Sequence, residues 1–220
     1  MQLVIGNKNY SSWSMRPWLL LRHFEIPFEE IRIPLFEKGY RNELRKYSPT
    51  LRVPVLIDGD TTIWDSLAIC EYISEKYIAG RALPKELHDR AVCRSYCAEM
   101  HSGFMEIRSR MPMNCRARRR IEFPPELLAE CHRVDALWSE RAASESLIGD
   151  YLFGQFSIAD CMYAPMAMRF ATYGVELSDA SMEYLTTVQK NPAVMQWLSE
   201  AEQETEFVVD YDVGVELGSL

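Results

Sequence analysis

The feature that most constrains this chain is a change in its secondary-structure pattern near residue 80. Before that point, short apolar and β-branched segments alternate with helical segments, and beyond it the strand patterns stop. A strand–helix–strand order implies a parallel pair of strands with a right-handed crossover. The pattern therefore predicts an α/β domain with a mixed sheet over residues 1–78 and an all-helical domain over residues 86–205, joined by residues 79–85.

The first domain is predicted to run strand, helix, strand, helix, strand, strand, helix. Asp58-Gly59 is a typical two-residue hairpin signal between its last two strands. The tail from Glu206 is left without assigned structure. The predicted strands are 2–5, 28–35, 53–57 and 61–64, and the predicted helices are 15–24, 41–47, 66–77, 86–113, 124–143, 157–173, 182–190 and 192–202.

The net charge of −8 argues against general binding to nucleic acids or anionic membranes. One local exception is an arginine run within thirteen residues. Such a run usually faces water at a helix end or in a loop; the alternative is a docking patch for an acidic substrate or partner. The run consists of Arg108, Arg110, Arg116, Arg118, Arg119 and Arg120.

The six cysteines include no Cys-x-x-Cys pair, and their spacing is not that of three or four converging metal ligands. Buried free thiols are therefore expected. The first ten residues lack the charged and then apolar pattern of a signal peptide, and no apolar run near them is long enough to cross a bilayer. The expected compartment is the cytoplasm, where thiols stay reduced.

A serine-rich motif, Tyr10-Ser11-Ser12-Trp13-Ser14, lies between the first predicted strand and the first predicted helix. Serine is a favoured N-cap, so capping alone would explain it. The alternative interpretation is that a serine at this position binds a ligand. A helix N-terminus carries partial positive charge, and a hydroxyl there can donate to a thiolate and keep it ionised.

Two further motifs allow both a structural and a binding interpretation. Pro54 cannot donate to a strand ladder, so Arg52-Val53-Pro54 marks a strand start, edge or bulge. The residues alone favour a trans Val53–Pro54 bond; a cis bond would expose Val53 N–H and C=O to a peptide-like ligand.

Asp65-Ser66 precedes a predicted helix, and helix capping would explain the pair. The alternative is a binding site at the helix N-terminus, where Ser66 holds a ligand carboxylate and Asp65 holds an ammonium group.

A fourth motif, Ser157-Ile158-Ala159-Asp160, has the Ser-x-x-Asp spacing of a capping box before an apolar helix. We interpret it as a folding element. In this order the four motifs resemble the cytosolic glutathione transferases over roughly residues 2–205. The Ser11–Ser14 run followed by Arg16 is similar to the serine motif of the zeta class, which isomerises maleylacetoacetate.

The resemblance implies a thioredoxin-like first domain with a four-stranded mixed sheet, and a second domain that contributes the electrophile site. It also implies glutathione as co-substrate, no metal, a homodimer, and conjugation or isomerisation of a small electrophile. The alternative is a non-catalytic transferase-like module that binds proteins or apolar ligands. A glutaredoxin-like reductase would need a cysteine at the first helix, and residues 7–18 contain none.

Carried over residue by residue, the resemblance assigns the thiolate contact to Ser11, with Tyr10, Ser12 and Ser14 as alternatives. The departures from the zeta pattern are Trp13 for cysteine, Arg52 for glutamine and Pro17 in the first helix. The residues expected to bind glutathione are Arg52, Val53, Pro54, Asp65 and Ser66, with Pro54 cis.

The second substrate is expected between the two domains, since domain junctions commonly form pockets. An arginine facing that cleft would indicate an acidic or carbonyl substrate. The candidate lining residues are Met105, Arg108, Met111, Tyr163 and Arg169.

Overall fold

The computed structural model of the chain describes residues 1–143 and 147–217. Its first half contains β1 (Gln2–Ile5), α1 (Ser12–His23), β2 (Glu29–Arg32), α2 (Tyr40–Leu44), β3 (Val55–Asp58), β4 (Thr61–Ile63) and α3 (Ser66–Ile78). The four strands form one sheet in the order β2-β1-β3-β4. β1 is parallel to β2 and antiparallel to β3, which is antiparallel to β4. This mixed sheet confirms the predicted fold class.

The β3–β4 hairpin turns one residue later than predicted. Asp58 pairs with Thr61 in the strand register, so the turn residues are Gly59 and Asp60. Gly59 has a φ of +60°, which glycine adopts without a Cβ clash. Asp58 stays in the strand, where its carboxylate accepts hydrogen bonds from Tyr72 (2.9 Å) and Lys76 (2.7 Å) of α3.

The second half is helical around a buried central helix. Its helices are α4 (Leu87–Ser102), α5 (Met105–Arg110), α6 (Pro125–Ala142), α7 (Ile158–Tyr173), α8 (Asp179–Lys190) and α9 (Pro192–Glu202). α7 is buried along nearly its whole length and packs against α1 of the first half as well as α4. A helix that is apolar all round is stable only when it is surrounded in this way.

The prediction of one helix over residues 86–113 is wrong, because the chain breaks at Gly103 and Phe104. Gly103 donates its N–H to the Glu99 carbonyl at 2.8 Å, and a Cβ on Gly103 would lie 2.9 Å from that oxygen. Phe104 then takes a left-handed φ of +59°. The break ends α4 at Ser102, and α5 begins at Met105.

Strand structure also returns where the sequence predicted none. β5 (Arg119–Arg120) pairs antiparallel with β6 (Val215–Glu216), and a 3₁₀ turn covers Val209–Tyr211. A two-residue strand has no periodicity to detect, and its partner lies about a hundred residues away. The division of binding roles between residues 1–78 and 86–205 stays a prediction.

The cysteines are free thiols, and all but the half-buried Cys115 are buried, as predicted. Burial raises the pKa of Cys115 and of Cys131 to about 12, so both stay protonated at neutral pH. Within the two described ranges, no three His, Cys, Asp or Glu side chains converge as metal ligands would. In the same residues, no helix is both long and apolar enough to cross a membrane.

Candidate functional site

A cavity of about 710 Å³ lies between the two halves. This volume is within the usual range for small-molecule sites. Its wall comes from the start of α1, the loop before β3, α4, α5, α7 and the tail after α9. A second cavity, of about 870 Å³ behind the linker, contains none of the predicted site residues. The charged side chains that line the first cavity are four arginines and one aspartate: Arg16, Arg52, Arg108, Arg169 and Asp210.

Ser11 is the N-cap residue of α1, but its hydroxyl is not used as a helix cap. The hydroxyl lies 2.7 Å from Ser14 Oγ and lines the cavity. Ser14 Oγ also accepts the N–H of Gly6 at 3.1 Å. When Ser14 donates to Ser11, the Ser11 hydrogen remains available to a group in the cavity. The capping interpretation of this serine is therefore wrong.

The alternative hydroxyls are held by other parts of the protein. Tyr10 Oη accepts from the Arg116 guanidinium at 3.2 Å, and Ser12 Oγ accepts from Arg169 Nη2 at 3.1 Å. Both residues line the cavity. Ser14 is completely buried behind Ser11, so its hydroxyl orients Ser11.

Val53–Pro54 is cis, as the resemblance predicted and against the expectation from the residues alone. Arg52 and Val53 line the cavity, whereas Pro54 is buried behind them. Ser48 holds this turn on both sides of Arg52: its Oγ accepts from Arg52 N (3.1 Å) and donates to Arg52 O (2.8 Å).

Asp65 and Ser66 contact side chains that line the cavity but are not themselves among its lining residues. Asp65 Oδ1 caps α3 by accepting from Leu67 N (2.9 Å) and Ala68 N (3.1 Å), as the capping interpretation predicted. Asp65 Oδ2 lies 3.3 Å from Nε2 of His101, which lines the cavity. Ser66 Oγ accepts from Arg16 Nη1 at 3.2 Å. Both polar groups therefore reach the cavity through a neighbouring side chain.

Three arginines line the cavity near the start of α1, and two of them lie against Trp13. The guanidinium carbons of Arg16 and Arg108 lie 4.1 and 4.7 Å from the Trp13 ring centroid. Arg169 is anchored by its bond to Ser12 and by another to the Met111 carbonyl (2.8 Å). Among the described residues, no carboxylate lies within ion-pair distance of these three guanidinium groups.

The electrostatics of this cluster favour an anion. Burial, with repulsion from its two neighbours, lowers the pKa of Arg16 to about 9, and burial lowers that of Arg169 to about 10. Both remain cations at neutral pH. Burial likewise lowers the pKa of Arg108 and of His101, so His101 is neutral at neutral pH. A site with uncompensated buried cations gains most from a negatively charged ligand.

The predicted electrophile residues Met105, Arg108 and Arg169 all line the cavity. Met111 and Tyr163 do not, because both are fully buried in the core. His101, Asp210 and Tyr211 also line the cavity and were not predicted from the sequence. Of these, His101 follows an ordinary helical pattern and the other two belong to the tail, so no local signal marks them.

The prediction that the arginine run faces water is wrong for Arg116 and Arg119. Arg116 donates to the carbonyl oxygens of Glu204 and Glu206 in the tail. Arg119 forms an ion pair with Asp212 in which the two side chains are only 11% and 10% exposed. By contrast, Arg110 is exposed and bonds Glu106 on its own helix.

Relatives of the chain come from several enzyme types. The chain is 28% identical to the "Probable maleylacetoacetate isomerase 2" of Drosophila melanogaster over 76% of its own length and 72% of that protein. It is 37% identical to "Glutathione S-transferase Z1" of Arabidopsis thaliana over 39% of its own length and 41% of that protein. It is 44% identical to the "Dichloromethane dehalogenase" of Methylorubrum extorquens over 30% of its own length and 24% of that protein. The chain thus spans less than half of the length of two of these relatives.

Solved structures share the fold. A glutathione transferase homolog from Burkholderia with bound glutathione aligns with a TM-score of 0.70 at 24% identity, over 92% of this chain and 98% of that one. The bacterial zeta-class maleyl pyruvate isomerase aligns with a TM-score of 0.69 at 18% identity, over 94% of this chain and 100% of that one. Residues 10–76 match the family "Glutathione S-transferase, N-terminal domain" and residues 115–200 match its C-terminal domain. With both domains present in this order and the fold in common, the chain belongs to the glutathione S-transferase family.

Proposed function

We propose that the chain binds glutathione in the 710 Å³ cavity and activates its thiol for reaction with a small electrophile. The observation that carries the proposal is the Ser11 hydroxyl. It lies at the N-terminus of α1, faces the cavity and has a hydrogen to donate once Ser14 donates to it. A thiolate there would gain both this hydrogen bond and the positive end of the helix.

The surrounding groups fit the rest of the tripeptide. Val53 lines the cavity, where its backbone N–H and C=O can pair with the cysteinyl backbone. Arg16 lines the cavity and, held by Ser66, suits the γ-glutamyl carboxylate. Asp65 lies behind His101 and suits the ammonium group through that side chain. Arg52 lines the cavity and offers a positive charge to the second carboxylate.

The electrophile is proposed to carry a carboxylate or a polarised carbonyl group. Arg108 and Arg169 lie in the cavity without an acidic partner among the described side chains, and Trp13, which contacts Arg16 and Arg108, also lines it. Relatives named as maleylacetoacetate isomerases agree with this class. Holding both reactants together makes their reaction effectively unimolecular.

The experiment that tests the function is titration of glutathione into the protein by calorimetry, followed by the ultraviolet absorbance of its thiolate. We expect saturable binding and a bound thiol that ionises below the pH at which free glutathione does. Turnover is then measured with 1-chloro-2,4-dinitrobenzene and with maleylacetoacetate. Binding without turnover of any electrophile would favour the non-catalytic module, and absence of binding would contradict the proposal.

Arg108→Gln is expected to raise the KM for a carboxylate-bearing electrophile by about 10- to 100-fold, the value of one hydrogen bond to a charged group. The KM for a neutral electrophile should change much less. Arg110→Gln is the matched control, since Arg110 lies on the same short helix but is exposed and bonds only Glu106 among the described residues. Equal effects of Arg108→Gln on charged and neutral electrophiles would show that Arg108 only supports the fold.

We further propose a cytoplasmic homodimer, as the family resemblance implies. Sedimentation at micromolar concentration tests the assembly, and a monomer there would contradict it. The tail engages Arg116 and Arg119, so these two arginines are not available for a docking role.

A further inference from the structure

Residues 204–217, which we call the C-terminal strap, run from the end of α9 past the mouth of the cavity to β6. Val208 is the one buried apolar residue of residues 204–217. Phe207, Val209 and Val215 are 66%, 74% and 71% exposed. The strap must therefore be held in place mainly by polar contacts.

Some of those contacts come from Arg32 of β2, which pairs with Glu206 at 2.6 Å, and others come from the loop that contains the arginine run. Arg116 bonds the start of the strap at the carbonyls of Glu204 and Glu206. Arg119 pairs with the Asp212 carboxylate and also donates to the Asp212 carbonyl at 3.0 Å. Asn114 Nδ2 donates to the same carboxylate at 2.9 Å. Because the Arg119–Asp212 pair is largely buried, removal of either partner leaves an uncompensated charge.

The inner side of the strap forms part of the cavity wall. Asp210 and Tyr211 line the cavity directly. The Tyr211 ring lies 5.3 Å from that of Tyr10 and 5.8 Å from that of Phe36, so it spans from the start of α1 to the loop before α2. Tyr10 Oη also accepts the Val208 N–H at 3.4 Å.

We propose that the strap sets the length of the electrophile that the cavity accepts, with Tyr211 as the specificity-determining residue and Arg119–Asp212 as its clamp. This inference rests on the proposed function, since it assumes glutathione at Ser11. It gives a role to the buried arginines of the run. A rigid aromatic wall limits a ligand by steric contact, whereas a released strap lets the ligand extend toward solvent.

The test uses S-alkylglutathiones from S-methyl to S-octyl, whose alkyl groups extend from the sulfur into the electrophile side of the cavity. Calorimetry gives each affinity relative to that of glutathione in the same protein. In the wild type this ratio should rise with chain length and then stop rising where the alkyl group meets Tyr211. In Tyr211→Ala it should continue to rise, reaching at least about tenfold above the wild type for S-octylglutathione.

The clamp is tested with Arg119→Gln and its matched control Arg120→Gln. Arg120 is the adjacent residue of β5 and its side chain is exposed. Arg119→Gln should reproduce the length dependence of Tyr211→Ala, and Arg120→Gln should retain that of the wild type. Melting temperatures of all variants separate this result from general unfolding.

Two outcomes would overturn this proposal and leave the proposed function intact. One is an unchanged length dependence in both Tyr211→Ala and Arg119→Gln with normal glutathione affinity. The other is an equal change in Arg119→Gln and Arg120→Gln, which would reflect loss of positive charge alone. A wild-type protein that does not bind glutathione would instead overturn the proposed function and this inference together.

Discussion

Asp160→Ala is expected to lower the free energy of unfolding by about 3–5 kcal/mol, a large part of the stability of an ordinary domain. Asp160 is completely buried. Its Oδ2 accepts from Ser157 N and Ser157 Oγ, each at 2.8 Å, and its Oδ1 accepts from Leu152 N at 3.1 Å and Tyr184 Oη at 3.0 Å. The substitution leaves these buried donors without an acceptor, so the cost exceeds that of losing an ordinary helix cap.

Denaturant unfolding of the wild type and Asp160→Ala measures this loss. Asp135→Ala is the matched control, because Asp135 also accepts from the N-terminal serine of a helix, at Ser178 N and Oγ, but is only partly buried. It should cost about 1 kcal/mol or less. An Asp160→Ala protein that unfolds like the wild type but has lost turnover would place Asp160 in the chemistry and contradict the folding role.

Ser11→Ala is expected to bind glutathione nearly as well as the wild type but to ionise its thiol less readily. The proposed binding groups at Val53, Asp65 and Ser66 are left in place. The change removes one hydrogen bond to a charged acceptor, about 1.5–3 kcal/mol, which would raise the thiol pKa by about one to two units. At a pH below the thiol pKa, each unit by which that pKa rises lowers the thiolate fraction about tenfold. We therefore expect kcat at neutral pH to fall and to recover partly as the pH rises.

The measurement is the ultraviolet thiolate absorbance of bound glutathione, titrated against pH in both proteins. Tyr10→Phe and Ser12→Ala are titrated beside them, since these hydroxyls are the alternatives that also line the cavity. If the Ser11→Ala curve superimposes on that of the wild type, Ser11 does not contact the thiolate. A shift in one of the other two variants would then identify the residue that does.

The sequence by itself determined the elements whose signals are local. The change from mixed to helical patterns near residue 80 corresponds to the end of α3 at Ile78 and the start of α4 at Leu87. Hairpin chemistry at Gly59 and the Ser-x-x-Asp spacing at Ser157 act within a few residues, so both were predictable. Motif order also indicated the family, and with it the cis bond at Pro54 that the residues alone disfavoured.

Tertiary structure decided what depends on partners far apart in sequence. Whether Ser11 caps a helix or faces a cavity depends on Ser14 and Gly6, and whether Arg119 faces water depends on Asp212. Residues such as Tyr211 lie beside the cavity only because the strap is held across it. Charge and polarity along the chain identify groups that need partners, but the partners are chosen by packing, because a buried charge or hydroxyl is stable only where the fold supplies its complement.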